Sequence, residues 1–569
     1  MQRHAEALCG KFDATRRGVL RTLLVVGGIV ACMDCGGRGG GTVAAEAKIP
    51  GELQRPRNVL IVALDTLRPD HLSFGGSSRE TAPRLAELAR ESVVFDDAQS
   101  AAPVTAASLC SLMTSLYPEV HRVEGARNPG RLSPNVSTLA DVLARHAYAT
   151  AAFTEGAYAS TAFGLGKGFQ TFPPAPEPGD SGSDPRLASS RLHANVDRTI
   201  AWLRDHRAAP FFLFFHTYEI HAPYWASDDD VRRFRPDFDE ARDHARVARA
   251  IERWNRERST SPEDALAMLE HLYQCPLVGL PELVDPDGFA RAAEALHFGP
   301  EDAVACDPLL DLVRDLYDAS IRYTDRELER LWNALDDLDL ARDTLVVVVS
   351  DHGEGLGQHR EMQHSNVLFD EALRVLLMIR APDAGIAPRH VADLVRTVDV
   401  MPTVLDLLHI DDDESLLQGR SLVPLMRGES DPERIAFSHA RNVAAGQNPQ
   451  YAVRSGRWRL IDEPAIRRCW LYDSDADPSE LLDVSAAHAD VVAELRGLLA
   501  DQAARDLALR ERIGGTAGPG RIDARTLGEL RTFGYTGDGS GSDSPEPGMS
   551  RAALRELSSP RDGRVGGTR

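Results

Sequence analysis

Cysteine is scarce in this chain of 569 residues, which contains seven. Cys32 and Cys35 form its single Cys-x-x-Cys pair, and neither a second pair nor a histidine stands near them. We therefore predict no zinc site there, and no redox motif, because the pair also lacks a strand–helix context. Cys275 and Cys306 could pair in an oxidising compartment or remain reduced, and the sequence leaves both alternatives open.

Positively charged residues are also fewer than negatively charged ones. The chain has 64 Lys+Arg against 86 Asp+Glu, so its formal net charge is −22. Such a charge on average repels nucleic acid and anionic lipid surfaces, and no nucleic-acid partner is expected. An anionic substrate would need a local cation, for which a bound metal ion is the simplest source. Hydrophobic residues make up 43% of the chain, which argues against disorder as its main state.

Near the N-terminus there is no apolar run of the roughly 20 residues that a membrane-spanning helix needs. The short run Leu23–Ala31 follows Arg16 and Arg17, an arrangement that looks like a twin-arginine export signal. The segment Ile29–Cys32 resembles a lipobox, in which Cys32 would carry a lipid; a plain cleaved signal is the alternative. We expect an exported protein, periplasmic or a lipoprotein facing outside the cytoplasm, with 1–31 as the signal and 32–56 as a flexible tether.

Continuous apolar runs predict strands that are buried on both faces of a parallel sheet. They cover residues 58–64, 211–215 and 344–349. A helical pattern at 82–89, with Thr81 as a plausible N-cap, alternates with them. The fold class predicted is α/β, with a doubly wound, mostly parallel sheet.

The rest of the chain divides by composition. We predict a catalytic α/β domain over 57–428, with a helical insertion at about 227–308 that is rich in charge and helix-formers. A small C-terminal α+β subdomain is predicted over 429–536, including a hairpin with its turn at Ser455-Gly456. The Gly-, Ser- and Pro-rich tail 537–569 is predicted to be disordered.

Acidic and histidine residues stand where the predicted strands end. Asp65, His216 and Asp351 each lie at such an end. Ligands bind beyond the carboxyl ends of strands in open α/β sheets, so this shared placement points to one site. Asp351 and the adjacent His352 can both reach a divalent cation with oxygen and nitrogen ligands. The alternative is that Asp351 caps a helix while His352 is solvated.

The order of several motifs resembles the sulfatase family of the alkaline-phosphatase-like superfamily. The resemblance covers about 57–534 apart from the insertion, and it is carried by Asn58–Leu60, Asp65–Leu72, Ser111–Pro118, Ser350–Glu354, Leu373–Val375, Val398–Thr403 and Gly456–Arg459. It implies an alkaline-phosphatase-like sheet with a metal site beside a covalent nucleophile. Carried over by position, Asp65, Asp351 and His352 would be metal ligands.

The resemblance also places the catalytic side chains. Thr105 stands at the nucleophile position, although a threonine there could instead cap a helix. His221 matches the histidine of the family's His-x-Pro segment and could protonate the leaving oxygen, while His364 could contact substrate or a second metal. His216 and Glu219 are weaker candidates. His121 is expected behind the site, without contact to substrate.

Two features depart from the family pattern. Family sulfatases carry Cys-x-Pro/Ala-x-Arg and oxidise the cysteine to formylglycine, whereas this chain has Thr105 and Leu109 at the cysteine and arginine positions. Cys110 cannot replace that cysteine, because Leu112 and Thr114 follow at the spacing of the motif. Formylglycine is therefore not expected. The family's sulfate-contacting lysine has no clear match either, since Lys167 lies in a different context.

The sequence and the resemblance together predict a metal-dependent hydrolase that cleaves a sulfate or phosphate ester through a covalent intermediate on Thr105. A metal-activated hydroxyl can serve as such a nucleophile. The sequence does not distinguish Ca, Mn, Mg and Zn, nor a small molecule, a glycan and a lipid headgroup as the anionic substrate. The alternatives are a phospho-headgroup transferase on the same scaffold and a non-catalytic pseudosulfatase that binds a ligand.

Overall fold

The computed structural model describes residues 56–532 with internal gaps. The gaps are 125–129, 178–190, 223, 225, 240–241, 244–307, 361, 365–366, 383, 412–415, 442–447, 516–517 and 519–522. The predicted export signal, almost all of the tether, most of the helical insertion and the C-terminal tail lie outside the described residues. So do Cys32, Cys35, Cys275 and Cys306.

The strands form a large central sheet, a smaller C-terminal sheet and a short hairpin. They are β1 Asn58–Leu64, β2 Val93–Gln99, β3 Ala149–Phe153, β4 Phe211–Thr217, β5 Thr344–Ser350, β6 Gly355–Leu356, β7 Met362–Gln363, β8 Arg374–Val375, β9 Leu377–Arg380, β10 Arg389–Arg396, β11 Ile435–Ala440, β12 Gln450–Ser455, β13 Trp458–Glu463 and β14 Arg468–Asp473. The predicted strands at 58–64, 211–215 and 344–349 are confirmed as β1, β4 and β5.

Helices alternate with these strands along the chain. The α-helices are α1 Pro83–Ala89, α2 Thr105–Thr114, α3 Pro118–His121, α4 Leu139–Arg145, α5 Arg191–His206, α6 Asp228–Phe234, α7 Pro308–Asp337, α8 Asp370–Leu373, α9 Val400–Leu407, α10 Val423–Met426, α11 Ala489–Ile513 and α12 Ala524–Thr532. Short 3₁₀ helices lie at Pro69–His71, Ser73–Gly75, Thr161–Phe163, Gln358–Arg360, Thr397–Asp399 and Pro464–Ile466. No helix among the described residues has both the length and the apolar composition that crossing a membrane requires.

The central sheet has the strand order β10-β2-β9-β5-β1-β4-β3, and β8 pairs with β2. Its centre is parallel, because β1 pairs in parallel with both β4 and β5. Strand β9 runs antiparallel between β2 and β5, so the sheet is mixed. Apolar clusters cover both of its faces, which explains why β1, β4 and β5 are buried along their whole length. The predicted α/β class is confirmed.

The register of the central strands places the site. Leu64 lies opposite Thr217 on one side and Ser350 on the other. The next residues, Asp65 and Asp351, therefore leave the sheet side by side at its carboxyl edge. The Asp65 amide also donates to the Thr217 carbonyl at 3.1 Å, which keeps the chain close to β4 just beyond the end of β1.

The C-terminal subdomain is an antiparallel sheet of order β11-β12-β13-β14 with α11 packed against it. Two local predictions, the turn of a hairpin and the N-cap of a helix, are wrong. The hairpin between β12 and β13 turns at Gly456-Arg457, one residue later than predicted, because Ser455 pairs with Trp458. The N-cap of α1 is Ala82, and the Thr81 hydroxyl instead donates to the His71 carbonyl at 2.6 Å.

Candidate metal and catalytic site

Three buried side chains converge at the carboxyl edge of the sheet. Asp65 follows β1, Asp351 follows β5, and His216 is the next-to-last residue of β4. One ligand atom from each lies within 4.8 Å of the others. None of the three is more than 1% exposed. His216 was only a weaker candidate in the sequence, and the structure places it directly in the cluster.

Several polar atoms of this cluster have no hydrogen-bond partner among the described residues. They are Asp65 Oδ1, Asp351 Oδ2 and both ring nitrogens of His216. Burial, and then the charge of Asp351, raise the pKa of the Asp65 carboxyl well above its usual range. A buried carboxylate oxygen without a hydrogen-bond partner is costly, and a divalent cation would offset that cost. Carboxylate and imidazole ligands suit such an ion, so these residues fit a metal site.

His352 completes the cluster from the side of β5. Its Nδ1 lies 3.0 Å from the Gly353 carbonyl oxygen, to which it can donate. This contact turns Nε2 inwards, where it lies 3.5 Å from Asp351 Oδ2 and 3.9 Å from Asp65 Oδ1. Burial alone would lower the pKa of His352, but the charges of Asp351 and Asp65 outweigh it and raise the pKa.

Thr105 lies against this cluster at the start of α2. Its hydroxyl donates to Asp65 Oδ2 at 3.1 Å, and its Oγ1 lies 3.3 Å from His352 Nε2. Val104 is the N-cap residue, so Thr105 does not cap the helix as the alternative reading supposed. The threonine side chain is directed at the candidate ligands, and its oxygen lies beside them.

His221 packs edge-on against His364, and His364 packs against His352. The ring centroids of His221 and His364 are 5.0 Å apart, and those of His352 and His364 are 4.2 Å apart. His364 Nδ1 lies 3.1 Å from Glu354 Oε1. Burial, and then the charge of His352, lower the pKa of His364 well below its usual value. Burial raises the pKa of Glu354 to about 7.

The orientation of His221 bears on its predicted role. Its Nδ1 makes a short contact with the Ala222 carbonyl oxygen, to which it can donate. With a proton held at Nδ1, Nε2 is the ring atom able to accept or deliver a second proton. The neighbouring Pro223 lies outside the described residues.

Other residues considered in the sequence have their contacts away from Thr105. His121 Nε2 contacts the Ser111 hydroxyl at 2.9 Å, on the following turns of α2. Lys167 pairs with Asp141 at 3.0 Å, near the beginning of α4. Glu219 is buried just beyond β4, and its amide donates to the Thr217 hydroxyl at 3.1 Å.

Sequence reasoning missed two residues of this site, Tyr218 and Glu354. Tyr218 lies between two noted histidines, and its ring centroid is 4.7 Å from that of His216. Glu354 ends the motif that begins at Asp351, and it contacts His364. Their positions inside motifs were the available signal, but nothing local in the sequence indicated their contacts.

A second group of ligand-type side chains lies elsewhere in the described residues. Glu119, Glu124 and His439 bring one atom each within 4.8 Å of the others. Arg122 and Arg441 pair with Glu124 at 3.0 and 3.1 Å. These guanidinium groups already supply positive charge, so we assign no metal to this group.

The family described as Sulfatase has a model that matches residues 57–410. The chain belongs to the sulfatase family. A second sulfatase-related model, described as N-sulphoglucosamine sulphohydrolase, C-terminal, matches residues 357–505 and reaches across the C-terminal sheet into α11.

Curated sulfatases are similar to this family member at the sequence level. Arylsulfatase K of Gallus gallus is 24% identical over 495 residues, covering 81% of this chain and 84% of the relative. Choline-sulfatase of Rhizobium meliloti (strain 1021) is 33% identical over 208 residues, covering 35% of this chain and 40% of the relative.

Solved structures share the fold. The phosphonate monoester hydrolase of Agrobacterium radiobacter gives a TM-score of 0.58 at 22% identity and covers 82% of this chain and 100% of that one. A protein solved in complex with its substrate D-glucosamine-2-N,6-O-disulfate gives a TM-score of 0.60 at 20% identity, and the match covers 80% of this chain and 99% of that one. The predicted family, fold class and sulfatase-like hydrolase class are confirmed. The roles of individual residues stay predictions.

Proposed function

We propose that this sulfatase-family hydrolase cleaves a sulfate, phosphate or phosphonate ester through a covalent intermediate on Thr105. The observation that carries the proposal is the contact of the Thr105 hydroxyl with Asp65 and His352, inside a buried group of ligand atoms. Similarity to choline-sulfatase, Arylsulfatase K and phosphonate monoester hydrolase supports esters of these acids as substrates.

We propose that Asp65, Asp351 and His352 hold a divalent cation, with His216 as a further ligand. The unpartnered oxygens of the two carboxylates and the burial of all four side chains support this assignment. When bound, such an ion supplies positive charge that favours the ionised threonine and offsets negative charge on the oxygens of the ester.

The first step forms the covalent ester on threonine. The Thr105 proton leaves along the hydrogen bond to Asp65 Oδ2, and Oγ1 attacks the sulfur or phosphorus atom. The bond from that atom to the leaving oxygen breaks, and His221 Nε2 delivers a proton to the departing oxygen.

The second step regenerates the free threonine. Water attacks the same sulfur or phosphorus atom while His221 Nε2 takes the proton that water loses. The bond to Thr105 Oγ1 breaks, and the proton held by Asp65 returns to that oxygen. The products are the free acid and the alcohol of the substrate, and every proton is accounted for.

The test is to replace Thr105 with alanine and to measure hydrolysis of aryl sulfate, phosphate monoester and phosphonate monoester compounds with several divalent ions. We expect a loss of at least about 1,000-fold, since removal of a nucleophile removes the covalent route. Thr114→Ala is the matched control, because it removes a buried hydroxyl of the same helix that donates to the Cys110 carbonyl. Unchanged turnover in Thr105→Ala, or an acid-quenched adduct on another residue, would overturn the nucleophile assignment.

A further inference from the structure

A cavity lies between the catalytic domain and the C-terminal subdomain, and the proposed function makes no use of it. Helix α3 with its N-cap forms one wall, and strands β11 and β12 with helix α11 form the others. The empty space in the cavity, including its open mouth, is about 360 Å³. None of its lining residues belongs to the candidate metal and catalytic site, so the cavity is a separate place for a small molecule to bind.

The charged side chains that line the cavity are acidic. They are Glu119 on α3 and Asp506 on α11, and both are buried. Among the lining residues that the structure describes, none is a lysine or an arginine. Arg122 lies 3.6 Å from Glu119 outside this lining, so part of the Glu119 charge is already balanced. Asp506 is therefore the main source of negative charge in the cavity.

Neutral groups alone hold the Asp506 carboxylate. Its Oδ1 accepts hydrogen bonds from the side-chain amides of Gln418 and Gln502, both at 2.6 Å. Within the described part of the chain, Oδ2 accepts no hydrogen bond and neither oxygen forms an ion pair. A charge that is buried without a counter-ion is costly, and a bound cation would offset that cost.

The Asp506 carboxyl ionises near neutral pH. Burial is the main cause that raises its pKa, to about 7, and the charge of Glu119 acts in the same direction. Hydrogen bonds from Gln418 and Gln502 and the charge of Arg505 act in the opposite direction. The carboxylate therefore predominates at pH 8 and the neutral acid at pH 5, and only the carboxylate attracts a cation.

The other polar and aromatic groups of the lining suit an amine with N–H donors. His439 is 6% exposed, and neither of its ring nitrogens has a hydrogen-bond partner among the described residues. Burial lowers its pKa to about 4, so the ring is neutral at pH 8 and has one nitrogen that accepts. The rings of Tyr117, Phe437 and Tyr451 also line the cavity, and aromatic faces attract cations.

We propose that this cavity binds a small protonated primary amine, whose ammonium group pairs with Asp506 Oδ2 and donates to His439. The apolar part of the amine packs against Leu499 and Ala503 on α11. The inference goes beyond the proposed function and does not depend on Thr105. The acidic lining disfavours a second sulfate or phosphate group as the occupant. A quaternary ammonium ion is also disfavoured, since it has no N–H group to donate.

Calorimetric titration of the full chain with n-butylammonium at pH 8 tests the proposal. We expect a dissociation constant of roughly 1 mM, because so small a ligand makes few contacts. The neutral molecule of matching size, 1-butanol, should bind at least about tenfold more weakly, and so should tetramethylammonium. Butylammonium should also bind at least about tenfold more weakly at pH 5, where Asp506 is protonated.

Two variants test the charge and the space of the cavity separately. Asp506→Asn removes the charge but keeps an oxygen for the two amides, so butylammonium should bind at least about tenfold more weakly. Asp501→Asn is its control, because it neutralises an exposed carboxylate of the same helix. Ala503→Leu fills the cavity and should also weaken binding at least about tenfold. The exposed Ala504→Leu is its control, and both controls should bind like the unmodified enzyme.

The results that would overturn the proposal are distinct from those that test Thr105. Equal affinity of Asp506→Asn and the unmodified enzyme would overturn it, and so would equal affinity for butylammonium and 1-butanol. If circular dichroism shows that Asp506→Asn does not fold, Ala503→Leu decides, because unweakened binding there would place the amine outside the cavity. None of these measurements uses turnover, so the amine site can fail while the proposed function stands, and the reverse.

Discussion

Replacing Arg459 with methionine tests how the C-terminal subdomain supports the site. Arg459 lies on β13, is 1% exposed, and pairs with Asp370 at 2.6 Å and with Glu480 at 2.5 Å. Asp370 opens α8, whose next two carbonyls, of Glu371 and Ala372, accept from the Glu354 and Gly353 amides at 3.0 and 2.8 Å. The ion pairs therefore support the loop that follows the proposed ligands Asp351 and His352.

The magnitude follows from the burial of Glu480. Burial raises its pKa from 4.5 to about 7 even with Arg459 present. A carboxyl group whose pKa is higher in the folded than in the unfolded state stabilises the fold at pH values below its unfolded-state pKa. This stability is lost as the pH rises through its folded-state pKa. At about 1.36 kcal/mol per pKa unit, the ionisation of Glu480 already lowers the free energy of unfolding by roughly 3 kcal/mol at pH 8. Without Arg459 the pKa rises further, and breaking a buried ion pair costs about 3–5 kcal/mol.

We therefore expect Arg459→Met to lower the free energy of unfolding by about 3–5 kcal/mol at pH 8. The loss should be smaller at pH 5, where Glu480 is protonated. Urea unfolding, followed by tryptophan fluorescence at both pH values, measures the difference. Arg457→Met removes a half-exposed ion pair with Asp473 in the same hairpin and should cost less than about 1 kcal/mol.

The double variant Arg459→Met with Glu480→Gln isolates the ion pair. The second change removes the unpaired carboxylate, so we expect the double variant to recover part of the stability at pH 8. The reasoning is refuted if Arg459→Met unfolds at the same urea concentration as the unmodified enzyme at pH 8. Equal losses at pH 5 and pH 8 would refute the part that depends on Glu480.

The remaining predictions concern the metal and the N-terminus. The Asp351→Asn variant should retain less than about one tenth of the bound divalent ion, because loss of a charged ligand weakens metal binding strongly. The control variant Asp336→Asn changes an exposed residue and should retain all of the ion. Equal metal content in both variants, measured by elemental analysis, would contradict the ligand assignment. We propose that the full chain is exported and lipidated at Cys32, on the basis of Arg16, Arg17 and the Ile29–Cys32 segment. The Cys32→Ala variant should then be absent from the membrane fraction, whereas the Cys35→Ala variant should remain in it. Recovery of the chain from the cytoplasm with an intact N-terminus would exclude export.

The apolar runs of β1, β4 and β5 determined much of the fold by themselves. A strand buried on both faces needs continuous apolar sequence, and that pattern is local, so it can be seen without knowledge of the neighbours. The end of each run then marked Asp65, His216 and Asp351, and parallel pairing brought them together. Antiparallel β9 between β2 and β5 was not visible in this way, because four residues do not specify which strands will flank them.

The contacts of the site were decided only by the tertiary structure. His216 was a weaker candidate than His352 in the sequence, because nothing there showed how β4 would align with β1. Thr105 meets Asp65 across 40 positions of the chain and His352 across 247. These contacts depend on the packing of the whole sheet. Local sequence could therefore indicate the edge of the sheet at which the site lies, but not the side chains that meet there.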